Sequence, residues 1–215
     1  MDIYVDSANL DEIRAAAELG LCDGVTTNPT LIAKEGGSFT GILAEICKIV
    51  SGPVHAEVLS LDYEGIVAEG QELAKISHNI VVKIPMLEAG LKAAKTLSEK
   101  GINTNITLIF SAGQAILAAK AGATYICPFL GRLDDIGADG LQLLSQIKTI
   151  LEANPDLNTK IIAASIRTPA HMSELAMMGV DILTAPAKLL KQLQKHPLTD
   201  AGIAAFVEDA KKFSK

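Results

Sequence analysis

Tryptophan is absent and aromatic residues make up only 4% of the 215-residue chain, so its core must be mostly aliphatic and alanine. Cysteine is scarce. Cys22, Cys47 and Cys127 show no CxxC spacing and no nearby histidine, which excludes a structural zinc or a disulfide framework and fits a reduced, cytoplasmic chain. Positive charge is in deficit, with 19 Lys and Arg against 25 Asp and Glu for a net charge of −6. That balance argues against nucleic acid or an anionic membrane as a partner. His55, His78, His171 and His196 are scattered without the spacing of a metal pair, so no zinc or iron site is expected.

Long apolar segments are also lacking. Asp2 and Asp6 interrupt the apolar stretch near the start, so no signal peptide is expected. The longest uncharged run, 101–119, contains Asn103, Asn105, Ser111 and Gln114. It reads as strand, loop and helix start rather than as a membrane span. No linker or low-complexity tract divides the chain, so one domain over 1–215 is expected.

What is present is a globular composition, 49% hydrophobic and 20% charged, which excludes disorder as the main state. Eight β-rich runs recur along the chain, at 3–6, 24–28, 54–59, 80–85, 102–109, 125–129, 160–165 and 182–186. Helical periodicity fills the gaps, as where Leu87, Leu91, Ala94 and Leu97 share one face opposite Lys92, Lys95 and Glu99. Gly20, Gly101, Gly122 and Gly179 each close a helical run just before a strand. Alternating β and α without a hairpin signal predicts a parallel sheet with helices outside, and eight units fit a (β/α)8 TIM barrel. An additional C-terminal helix is expected over 198–213. A doubly wound open sheet is the alternative, disfavoured because no glycine-rich phosphate loop follows the first strand.

Both faces of a strand in such a barrel are buried and should be apolar, yet these strands carry polar residues near their C-terminal ends. They are Asp6, Thr26, Asn28, Glu57, Lys83, Asn105, Thr107 and Ser165, with Arg167 two residues further on. Single residues of this kind can cap strands or bond loop backbone. Six strands delivering polar groups at one end point instead to a convergent site, at the end where barrel enzymes work. Period-2 alternation places Ile106 and Leu108 opposite Asn105 and Thr107, and Ile162 and Ala164 opposite Ser165.

Lys83 is the only charged residue in the β-branched run IVVKIP. Burial favours the neutral amine, the form that attacks a carbonyl; a lysine snorkelling from the strand end is the plainer alternative. Asp6 and Glu57 supply two carboxylates for separate proton transfers, or salt bridges to Lys83. Only three arginines occur, and two of them, Arg132 and Arg167, follow the sixth and seventh strands. Arginine there, with the Ser165 hydroxyl, suits a phosphorylated substrate; a bridge from Arg132 to Asp134 or Asp135 is its structural alternative. Met177 and Met178 read as core or interface filler.

IYVDSAN at 3–9, GVTTNPTLIAKEG at 24–36, HAEVLS at 55–60, IVVKIP at 80–85, NITLIFS at 105–111, PFLGRLDDIG at 128–137 and AASIRTP at 163–169 together resemble the transaldolase family, in its small-subunit branch that includes the fructose-6-phosphate aldolases. The resemblance covers essentially the whole chain. It implies that Lys83 forms a Schiff base with a ketose phosphate, that Asp6 takes the hydroxyl proton that starts carbon–carbon cleavage, and that Glu57 moves protons through a water held with Thr107. It implies binding roles for Thr26, Asn28, Asn105 and Phe129, a phosphate grip by Arg132, Ser165 and Arg167, and no cofactor or metal. Its members form pentamer-based decamers with help from the C-terminal helix, and act in the cytoplasm in the pentose phosphate pathway. Cys127 stands where the family commonly has Ser, a weaker donor to substrate. Aldolases releasing free dihydroxyacetone tend to carry Gln where this chain has Glu57 and Tyr where it has Phe129, so both positions favour transfer. A non-catalytic sugar-phosphate-binding barrel is the third reading.

Overall fold

The computed structural model describes residues 1–213. Eight strands, β1 (Asp2–Asp6), β2 (Gly24–Thr26), β3 (Val54–Glu57), β4 (Ile80–Pro85), β5 (Thr104–Ile109), β6 (Tyr125–Pro128), β7 (Lys160–Ala163) and β8 (Ile182–Ala185), form a barrel closed in chain order. Every neighbouring pair is parallel, including β8 with β1. Helices α1 (Leu10–Glu18), α2 (Pro29–Glu35), α3 (Phe39–Ile49), α4 (Tyr63–Ala74), α5 (Glu88–Glu99), α6 (Ala112–Lys120), α7 (Leu130–Asp134), α8 (Gly140–Ala153), α9 (Pro169–Met178), α10 (Ala187–Leu193) and α11 (Pro197–Ala210) follow the strands. This is the expected (β/α)8 architecture, with α11 as its C-terminal helix.

The sequence dictates where the helices start. Asn9, Asn28, Ser38, Asp62, Ser111, Asp139 and Thr168 each accept a backbone N–H of the first helical turn through the side chain, satisfying donors that the helix itself cannot. The second strand is shorter than its β-rich run because Asn28 leaves it to cap α2, whose first residue is Pro29. The glycines expected to end helical runs do so in the left-handed region, Gly179 at φ 71° among them.

Strand alternation sorts the apolar residues into two cores. Val5, Val25, Val54, Val82, Ile106, Ile126, Ala163 and Leu183 face the helices in one large cluster. Tyr4, Val81, Tyr125, Cys127, Ile162, Ala164 and Ile182 fill the barrel interior in a second, with Phe129 packed on it. The large Tyr4 ring fits because its neighbour in register is Gly24. A Cβ there would stand 2.7 Å from Tyr4 Cε1 and 2.8 Å from the Pro53 carbonyl oxygen.

Alternation fails at two points. Between β5 and β6 the register slips after Thr107, and Leu108 takes φ 60°. Leu108 therefore leaves the helix-facing side expected of it and lines the site's mouth, as an inserted bulge residue can. Ser165, of the same parity as the helix-facing Ala163, also has φ 60°, and that turn beyond β7 brings it to the same end. Among the described residues, no helix is long and apolar enough to cross a membrane.

Gly24→Ala should lower stability by about 1–3 kcal/mol, the usual cost of overpacking a tight core. Urea melts of the variant and the wild type measure it; an unchanged midpoint would mean that Tyr4 has room to move.

Candidate functional site

The polar strand ends converge as the sequence predicts. Lys83, on β4, is 4% exposed and pairs with Glu57 of β3, its neighbour in register, at 2.9 Å. Its ammonium also donates to the Thr27 carbonyl oxygen at 3.0 Å. It does not snorkel; it is held inside. A buried ion pair needs such additional hydrogen bonds to offset the loss of water.

The other carboxylate has different company. Asp6 accepts a hydrogen bond from Thr26 Oγ1 at 2.8 Å, and Thr26 Oγ1 lies 2.6 Å from Thr184 Oγ1. Thr26 has one proton and gives it to Asp6, so Thr184 is the donor to Thr26. Burial pushes the Asp6 carboxyl above its ordinary value, against the opposing pull of Lys83 and the Thr26 hydroxyl; the Glu57 charge pushes it further up. Two carboxylates thus flank one amine in unlike settings, the arrangement that separates proton-transfer roles.

A two-lobed cavity opens above them. One lobe, of about 170 Å³, descends past Arg132 and Arg167 to Asp6, Thr26, Lys83 and Thr184. The other, of about 360 Å³, reaches Glu57, Thr107 and Leu108. Asn28, Lys83, Phe129 and Arg132 border both. Asn28 Oδ1 is committed to the Leu31 N–H, so its amide N–H group is what it can offer a ligand.

The arginine end is built by strand pairing that runs past β6 and β7. Phe129 bridges Ala164, and the N–H groups of Leu130 and Gly131 donate to the carbonyls of Ala164 and Ser165, both at 3.1 Å. A Cβ at Gly131 would fall 2.1 Å from the Ser165 oxygen and 2.7 Å from Arg167 Cγ. Only glycine permits this approach, which gathers Arg132, Ser165 and Arg167 at one wall of the cavity. Arg132 stacks over the Phe129 ring at 5.0 Å. The bridge anticipated for Arg132 belongs to Arg167, which meets Asp135 at 2.9 Å.

Asn105 is the one predicted residue absent from the cavity wall. It is fully buried beside Lys83 in register, with its amide on His55. Thr107 Oγ1 is buried without a satisfied hydrogen bond, near the Cys127 thiol, which burial pushes up to about 12. Sequence reasoning passed over Thr184 and His55, and the Thr27 carbonyl carries no side-chain signal. Thr184 shares the interior parity of Ile182 in the last strand and was legible on that ground. Of the methionines, Met178 packs against the core and Met177 is exposed. Among the described residues no group of three His, Cys, Asp or Glu side chains is placed to hold a metal ion.

A carboxyl raised in the native state contributes stability that is fully present below its unfolded-state value, here near 3.8, and lost as pH rises through its native value. Asp6→Asn keeps the acceptor for Thr26 and removes that loss. The variant should melt higher than the wild type at pH 7, with the gap closing towards pH 3, in thermal melts across that range. A lower melting temperature at pH 7 would mean that the anion is net stabilising through Lys83.

Comparison with known proteins agrees with this geometry. The family model described as "Transaldolase/Fructose-6-phosphate aldolase" matches residues 3–215. A protein of Leptospira biflexa named "probable transaldolase" is 54% identical over 214 residues, covering 100% of both chains. Proteins of the same name from Desulforapulum autotrophicum and Caldicellulosiruptor saccharolyticus are 57% identical over 212 residues and 55% over 215, covering 99% and 100% of this chain and 98% and 99% of their own. On whole-chain similarity of this extent, the chain belongs to the transaldolase/fructose-6-phosphate aldolase family.

Proposed function

We propose that the protein is a transaldolase, moving a dihydroxyacetone unit from a ketose phosphate to an aldose phosphate through a Schiff base on Lys83. The observation that carries this reading is the buried Lys83 amine, paired with Glu57 at 2.9 Å while Asp6 is held separately by Thr26. Glu57 accepts the ammonium proton, and the freed amine attacks the ketone of fructose 6-phosphate or sedoheptulose 7-phosphate. Protons then pass through Glu57 and a water beside Thr107 as the carbinolamine loses water. The protonated imine draws electrons from the neighbouring carbon–carbon bond, and Asp6 takes the hydroxyl proton of the departing aldehyde. The remaining enamine adds to erythrose 4-phosphate or glyceraldehyde 3-phosphate, and the same steps in reverse release the new ketose. The imine itself serves as electron sink, so the scheme uses no metal or organic cofactor.

Thr26, Asn28 and Phe129 shape the donor pocket, Asn105 backs it from beside Lys83 in register, and Arg132, Ser165 and Arg167 take the phosphate. Release of free dihydroxyacetone is the second reading. Transfer is favoured because the Phe129 ring, at the junction of both lobes, brings no hydroxyl to activate water, and because the similar proteins bear the transaldolase name. Two features support the remaining expectations. Cys22, Cys47 and Cys127 are free thiols, as a cytoplasmic enzyme would keep them. Helix α11 buries none of its residues and exposes Ile203, Phe206 and Val207, a surface suited to neighbouring copies in a pentamer-based decamer. The domain is taken as the whole chain, 1–215.

Fructose 6-phosphate should yield glyceraldehyde 3-phosphate rapidly only when erythrose 4-phosphate is supplied. Borohydride added with the donor should inactivate the enzyme and label the peptide containing Lys83. Full-speed cleavage without acceptor would replace transfer by aldolase activity, and a label on Lys34 or Lys188 would refute the Lys83 assignment.

Arg167→Ala should cost phosphorylated donors about one to two decades in kcat/KM, the usual loss of a charged hydrogen-bond partner. Unphosphorylated fructose should be affected far less. Equal losses on the two sugars would make the arginine a structural partner of Asp135.

A further inference from the structure

His55 lies in the barrel interior below Glu57 and is completely buried. The imidazole is gripped between two tyrosines, with ring centroids 5.5 Å from Tyr4 and 5.0 Å from Tyr125. Its Nδ1 lies 3.0 Å from Asn105 Nδ2. Two buried atoms in this group have no hydrogen-bond partner, His55 Nε2 and Asn105 Oδ1. Asn105 stands next to Lys83 in strand register on the same inward face. An unsatisfied carbonyl oxygen buried there is costly unless something donates to it during function.

A neutral imidazole has one donor and one acceptor nitrogen. Burial, with the Lys83 charge adding to it, pulls His55 down to about 3, so the ring is neutral across the physiological range. The amide nitrogen of Asn105 can only donate, which makes Nδ1 the acceptor and places the imidazole proton on Nε2. The flipped amide would need the other imidazole tautomer, with Nδ1–H donating to Oδ1, and would leave the N–H group rather than the oxygen free of the ring. The tautomer of His55 and the orientation of the Asn105 amide are therefore coupled, and the Nε2–H form holds the amide with its oxygen away from the ring.

We propose that His55 is a positioning residue that locks the Asn105 amide with its oxygen free, as an acceptor for a hydroxyl of the ketone unit bound to Lys83. The assignment rests on the Schiff-base reading of Lys83. A covalent adduct on the Lys83 nitrogen stands at the head of the strand pair in which Asn105 is the neighbour of Lys83 in register. An acceptor there favours donors that bear a hydroxyl on both sides of the carbonyl. The two tyrosines keep the imidazole from rotating and keep water away from it.

Two measurements test this. Nitrogen-15 NMR of histidine-labelled wild-type enzyme should show His55 neutral as the Nε2–H tautomer from pH 5 to 9. An Nδ1–H tautomer, or a protonated ring, would overturn the proposal without reference to activity. Borohydride trapping on Lys83 should then be titrated with dihydroxyacetone and with hydroxyacetone, which lacks one hydroxyl. The wild type should trap dihydroxyacetone at lower concentration. His55→Phe, which keeps the aromatic packing, should cut that preference about tenfold or more. His55→Gln, whose side-chain oxygen can accept from Asn105, should restore part of it. A preference unchanged in His55→Phe overturns the positioning role while leaving the Lys83 chemistry intact. No adduct with either ketone in the wild type refutes the Schiff-base reading, and this role falls with it.

Discussion

Keeping an ammonium group inside an aliphatic barrel is the constraint around which the rest of the structure is arranged. An isolated charge in that setting would cost several kcal/mol, and Lys83 is only 4% exposed. It is tolerated because Glu57 lies beside it in register and because the Thr27 carbonyl accepts a further hydrogen bond. Both partners come from strand ends whose positions closure of the barrel fixes. The site is therefore a product of the register rather than of flexible loops.

The same logic extends outward. Asp6 feels the Lys83 charge, but its hydrogen bond comes from a chain of hydroxyls, Thr184 through Thr26. Past the strand ends, two residues in the left-handed region, Leu108 and Ser165, redirect the backbone where alternation would have turned side chains towards the helices. Non-glycine residues held there typically cost about 1–3 kcal/mol each and gather at functional sites. Both of these border the cavity.

Much of this was legible in the sequence, for a definite reason. Lys83, Asp6 and Glu57 are polar residues at inward positions of otherwise apolar strands, and strict period-2 geometry allows few other readings. The arginines stood out by their rarity. Legibility failed where the backbone left that geometry: the positive φ of Leu108 and Ser165 is not written in residue type, so Leu108 was expected on the helix side, and Ser165 reaches its expected place by a turn rather than by alternation. It also failed where one neighbour alone decides a residue's role. His55 reads as a core histidine until Asn105 and two tyrosine rings are found around it. Which aspartate would engage which arginine depended on Gly131 drawing the Arg167 stem close, a contact no spacing rule describes.

The aromatic filling of the lower barrel has a consequence for traffic. Among the described residues, Tyr4, His55, Tyr125, Ile162 and Ile182 pack the barrel beneath the amine and both lobes that reach Lys83 open at the other end, so substrates enter and leave by that one mouth. If the chain works as a transferase, the first aldehyde has to depart through that opening before the second can approach. The order of events would then be imposed by a plugged floor: a ping-pong sequence with a covalently loaded enzyme between its two halves, and competition between donor and acceptor sugars for the same empty doorway.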